Sequence, residues 1–78
     1  MSGMRVLVQF IVLGEEEQTS PTVELPSAPR AGEYIEWRLG GKIPQGTYKV
    51  YEISWVLTGS ALIYCFLTPT GQPLHPLT

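Results

Sequence analysis

The chain has 78 residues, of which 44% are hydrophobic and only 15% charged, and its formal net charge is −2. That length allows one domain with a single marginal core, and the apolar content excludes a disordered chain. The basic residues Arg5, Arg30, Arg38, Lys42 and Lys49 are scattered without a run or stripe, which argues against binding through neutralised nucleic-acid phosphates.

Met4 to Leu13 reads as the first strand, with Val6, Val8, Phe10 and Val12 on one face and Arg5, Leu7, Gln9, Ile11 and Leu13 on the other. Both faces are largely apolar, more than a strand buried on one side requires. Gly14 ends it, and residues 15–21 form an acidic, polar loop. Thr22 to Leu25 makes a short second strand. Pro26 to Gly32 carries two prolines three apart, favouring an extended path with a glycine turn at its end.

Glu33 to Leu39 alternates cleanly, placing Ile35, Trp37 and Leu39 inward and Tyr34, Glu36 and Arg38 outward. Residues 40–46 form a hairpin-type connection. Thr47 to Leu57 is the longest strand. Its two-residue period holds through Tyr48 and Val50, then resumes one residue out of step at Ile53 and Trp55. A β-bulge near Tyr51 and Glu52 reconciles the halves and bends the strand, with Trp55 expected in the core. Ser60 to Thr68 is the last strand, with Leu62, Tyr64 and Phe66 opposing Ala61, Ile63, Cys65 and Leu67. The proline-rich tail, residues 69–78, is either an ordered cap or a frayed end. Five short strands without a helix predict an all-β fold, a small partly open barrel.

Leu25-Pro26, then Pro29-Arg30-Ala31-Gly32-Glu33, then Tyr48-x-Val50-x-x-Ile53-x-Trp55 resembles a pattern in small SH3-like barrel proteins of bacteria and their phages. The resemblance covers roughly residues 4 to 68. It implies a five-stranded SH3-like barrel in which the proline-arginine-glycine-acid turn opens a strand and the tyrosine-to-tryptophan strand carries the bend. Glu33 stands where that pattern commonly has Asp, and the acidic loop and proline-rich tail have no counterpart in it. Fold resemblance of this kind carries no activity with it.

Catalytic equipment is absent from the pattern. The sole cysteine, Cys65, lies in an apolar strand and reads as a buried, reduced, inert thiol. The sole histidine, His75, lies in the tail, so the two make neither a zinc site nor a held nucleophile–base pair. Glu33, Glu36 and Glu52 read as solvated carboxylates, because a barrel this small fills its interior with side chains and offers no pocket for a small-molecule substrate. No enzyme and no cofactor are therefore expected. The stretch from Ile53 to Leu67 is too short for a membrane span and is broken by Thr58-Gly59-Ser60. No basic, apolar leader with a cleavage site occurs, so a cytoplasmic location is expected.

What remains is binding. Tyr34 and Tyr51 point outward with Arg38 nearby, a composition enriched at recognition surfaces. If the first and last strands pair, Leu7, Ile11 and Tyr64 join an outer apolar patch that needs the tail or another chain over it, a second copy being the simplest. The expectation is a non-enzymatic protein-interaction module. In a phage setting it includes an inhibitor that docks on a host defence complex, as anti-CRISPR proteins do. The alternatives are a small barrel binding single-stranded nucleic acid on Tyr34, Tyr51, Arg38 and Lys49, and a homo-oligomeric structural or assembly protein.

Overall fold

Alternating apolar residues build five strands in the computed structural model, which describes residues 5–59 and 61–76. They are β1 (Val6–Val12), β2 (Gln18–Leu25), β3 (Tyr34–Trp37), β4 (Gly46–Leu57) and β5 (Ala61–Pro69). The sheet order is β2-β1-β5-β4-β3, with β1 and β5 parallel and every other neighbouring pair antiparallel. The sheet curls into a half-barrel consistent with a small SH3-like barrel. Among the described residues there is no helix, and so none that is long and apolar enough to cross a membrane. The predicted strand ends at Met4 and Ser60, and the last two residues of the tail, lie outside the described residues.

The concave face holds the core. Val8, Phe10 and Val12 come from β1, Trp37 from β3, Tyr48 and Val50 from β4, and Ile63, Cys65 and Leu67 from β5. These are the inward sets expected from the alternation. Phe10 meets Trp37 edge to face, with ring centroids 5.2 Å apart. The sheet edges β2 and β3 are far apart, so the chain from Pro26 to Glu33 must pass from one edge to the other. It does so across the concave mouth, where Ala28 packs against the core. Ile43, from the β3–β4 connection, fills the other opening and is fully buried.

Three differences from the sequence reading bear on the site. β2 starts at Gln18 and takes in Pro21, which the polar pattern had assigned to a loop. An edge strand tolerates proline because one row of its N–H groups faces solvent. The β1–β2 register shifts between Gln9 and Ile11, and there the Ser20 hydroxyl accepts from the Phe10 N–H at 3.0 Å while donating to the Pro21 carbonyl at 2.7 Å. A side chain thus does the ladder's work where the ladder breaks. β3 stops at Trp37, and Leu39, expected inward, is exposed. The chain turns there through Gly40 and Gly41, with φ of 73° and 78°, and the Trp37 indole N–H reaches the Gly40 carbonyl at 3.0 Å.

The third difference concerns Trp55. The bulge falls where expected, between Val50 and Glu52 against β5, and returns Ile53 and Trp55 to the concave side opposite Cys65 and Ile63. But β3 pairs only with the first half of β4, from Gly46 to Lys49. Beyond the bulge β4 and β5 project as a two-stranded arm, and Trp55 lies past the last core layer, 53% exposed. Trp37 is the core tryptophan.

Candidate interaction site

Loop 27–31 separates two surface hollows. The larger, of about 760 Å³, lies between that loop and the β4 arm and is lined by Ala28, Pro29, Arg30, Tyr51, Glu52, Ile53 and Trp55, among others. The smaller, of about 430 Å³, lies on the loop's other side and includes Tyr34 and Ile35. The loop holds its place through short local bonds. Glu33 accepts from the Arg30 N–H through its carboxylate, at 2.6 Å, and the Glu33 N–H donates back to the Arg30 carbonyl at 3.1 Å. Gly32 and Glu33 then exchange backbone bonds with Val50, each of 2.8 Å, anchoring the loop to β4 just before the bulge. The geometry of that turn gives each of its residues a part: proline a stiff approach, Gly32 a φ of 94°, and Glu33 an acceptor for the turn's own amide.

The arm beside the larger hollow carries three exposed large apolar groups. Tyr51 is 63% exposed and Leu57 is 75% exposed, and both accompany Trp55 on β4. A large aromatic half out of water beside an open hollow is how binding hot spots look before a partner arrives. Arg30 and Glu52 rim the hollow, and neither makes an ion pair among the described residues.

The predicted site residues divide among four places. Tyr51 sits in the larger hollow. Tyr34 is exposed as expected, but across the loop, with the Lys49 ammonium 5.8 Å from its ring centre. Arg38 joins neither. Its guanidinium donates to Glu36 at 2.7 Å and to the His75 carbonyl, and the His75 ring bonds the same Glu36 carboxylate. His75 and Arg38 together hold that carboxyl below its ordinary range. The tail is therefore an ordered strap up to Pro76. It is also tied at Thr47, whose hydroxyl donates to the Pro73 carbonyl at 3.2 Å and whose carbonyl accepts from the Thr70 hydroxyl at 2.7 Å. Glu36, expected to be freely solvated, is partly covered by this clasp.

Leu7, Ile11 and Tyr64 do share the convex face, because β1 and β5 pair with Leu7 beside Leu62, Gln9 beside Tyr64 and Ile11 beside Phe66. The patch is less open than the sequence implied. Ile11 is only 8% exposed, flanked in register by Phe66 on one side and Thr19 on the other. Tyr64 and Phe66 pack edge to face at 6.5 Å and are half-buried. The tail strap lies over Thr47 and Glu36, so it does not supply this face with a cover.

Cys65 is fully buried in the core, and its thiol is pushed up to about 12 by burial, with Glu33 adding to the shift. Such a thiol does not ionise near neutrality and is no nucleophile. Its strand lies in the core while His75 is committed to Glu36.

The residues that sequence reasoning missed are Trp55, Leu57, Pro29 and Arg30. One signal was available for the first two: a strand of eleven residues following one of seven must outrun it. Compared with known protein families, curated proteins and solved structures, the chain matches none.

Proposed function

We propose that this chain is a non-enzymatic protein-interaction module whose binding surface is the β4–β5 arm and its facing hollow. The observation that supports this reading is the position of Trp55, a large aromatic kept half exposed beside Tyr51 and an open groove. Exposing an indole forfeits burial worth about 2 kcal/mol, a sizeable sacrifice for so small a core. A partner that covers it recovers that energy, which is why tryptophan and tyrosine dominate binding hot spots. An inhibitor that docks on a host defence complex, as anti-CRISPR proteins do, is the specialised form suggested by the phage resemblance.

A second reading uses the same groups. Trp55, Tyr51 and Arg30 would serve equally as stacking faces and a cation for single-stranded nucleic acid, although the net charge of −2 opposes it. Affinity capture from host lysate, with and without nuclease and with Trp55→Ala alongside, separates the two. A stoichiometric protein that survives nuclease and disappears with Trp55→Ala supports the interaction module. Capture abolished by nuclease transfers the site to nucleic acid. Capture that survives Trp55→Ala unchanged removes the arm as the binding surface.

A further inference from the structure

The backbone of the arm is as unoccupied as its side chains. In a strand, residues on one face send their N–H and C=O groups toward one edge, and residues on the other face toward the opposite edge. Val50, on the concave face, sends both of its groups toward β3, where Gly32 and Glu33 meet them. Ile53, Trp55 and Leu57 share that face and so point the same way, past the end of β3. No hydrogen-bond partner for their backbone on that edge occurs among the described residues.

The sheet's two other outer edges are protected. β2 carries Pro21 and a register irregularity, and β3 is four residues long. Proteins ordinarily blunt open edges with prolines, lysines, bulges or brevity. The stretch from Tyr51 to Leu57 has none of these after its first two residues, and Glu52 is its only charge. It is an edge left fit for pairing.

We propose that this edge pairs with the same edge of a second copy, antiparallel about a two-fold axis at Ser54, joining two five-stranded sheets into one of ten strands. The occupant follows from the side-chain pattern. With Ser54 opposite Ser54, Ile53 lies opposite Trp55 and Tyr51 opposite Leu57, so the concave face gains two aromatic–aliphatic pairs of each kind per dimer. Ile53 and Trp55 become hydrogen-bonded partners, since both direct their backbone groups to that edge. Glu52 falls opposite Val56. The two carboxylates are then four residues apart along the strand, about 14 Å, beyond the screening length near physiological salt. The segment is thus complementary to itself in polarity and in charge. A strand carrying lysine or proline at these positions would not be.

This inference rests on the arm being an interaction surface, and each of the two can fail alone. Sedimentation equilibrium should give twice the 8.7 kDa chain mass at concentrations up to about 300 µM, since an edge pairing is smaller than a standard interface and correspondingly weak. Under those conditions the Ile53 and Trp55 amides should resist hydrogen exchange, and dilution should release them. Trp55→Lys places two charges at the centre of the paired segment, one on each side of the two-fold axis, and should raise the dissociation constant about tenfold or more, with the circular dichroism unchanged. A monomer throughout that range overturns the proposal, and so does a dimer whose Ile53 and Trp55 amides exchange freely. A monomer that still captures a nuclease-resistant host protein through Trp55 removes self-pairing and leaves the interaction module standing.

Discussion

Replacing each tryptophan with alanine should give opposite results, and the contrast tests the division of β4 into a core half and an exposed arm. Trp37 is 4% exposed, packs against Phe10, and donates its indole N–H to Gly40. Trp37→Ala removes nearly all of a large buried side chain and leaves a void, costing about 3–5 kcal/mol, with the lost hydrogen bond adding about 1 kcal/mol. A chain of this length has only about 4–12 kcal/mol of stability in total, so Trp37→Ala should have no cooperative thermal transition or one greatly lowered. Trp55 buries only about half of its roughly 220 Å². At about 25 cal/mol per Å² that is less than 3 kcal/mol, nearer 2 kcal/mol once the compactness of the unfolded chain is allowed for. No cavity term is added, because the vacated space is already open to water. Trp55→Ala should therefore keep a cooperative urea transition with an unchanged slope. Emission spectra give an independent check. Trp55→Phe leaves the buried Trp37 with blue-shifted fluorescence, and Trp37→Phe leaves Trp55 red-shifted. Equal losses of stability from the two alanine variants, or matching emission maxima, would refute the placement of Trp55 outside the core.

Two further outcomes follow from local geometry. Ser20→Ala removes the acceptor of the Phe10 N–H at the β1–β2 irregularity and should cost about 1–3 kcal/mol in a denaturant titration. Ser20→Thr, which keeps the hydroxyl, should recover most of that loss. The tail clasp should open in acid. The Glu36 carboxyl is held below its ordinary 4.5 by His75 and Arg38, so its contribution is complete above that value and disappears as pH falls through the lower, folded-state value. Chemical shifts of Gln72 to His75 should move together in that acid range, and Glu36→Gln should abolish the step. Tail shifts that remain constant down to the global acid transition would show that the clasp does not hold the strap.

The alternation of apolar residues was enough to place five strands, the inward sets on β1 and β5, and the bulge after Val50. Those features are local: a two-residue period and its slip by one are written in consecutive residues. Pro21 hid the start of β2, because its effect depends on lying at a sheet edge, and neighbours decide which strand is an edge. Leu39 looked inward because the alternation continues through it, while the turn is imposed by the glycine pair that follows. The facing of Trp55 was legible and its burial was not. Alternation tells which side of a sheet a residue occupies, but whether anything stands above it depends on the length of the adjacent strand and the route of loop 27–31. The exposure of Tyr34 and Tyr51 agrees with the alternation, but the bulge puts Tyr51 with Ile53 and Trp55, and loop 27–31 separates it from Tyr34. Arg38 was lost from the site for a related reason, since its partner His75 lies 37 residues away in sequence.

The bulge ties these observations to a single cause. Without the extra residue at Tyr51, Ile53 and Trp55 would fall on the convex face beside Tyr64 and Leu62, and the concave side of the arm would be polar. With it, β4 bends and keeps its apolar set on the concave side after β3 has ended, so the arm presents core-like residues with no core above them. Burial and exposure are thereby assigned to different halves of one strand. Tyr48 and Val50, before the bulge, are buried and costly to change, while Tyr51, Trp55 and Leu57, beyond it, are exposed and cheap. Such a partition lets the exposed half vary in sequence without unfolding the domain, the condition that the proposed interaction surface must meet in so small a protein. Deleting Tyr51 is its most direct perturbation: the arm's apolar set would move to the convex face, the groove would lose its aromatic wall, and Tyr48 and Val50 would keep their core positions.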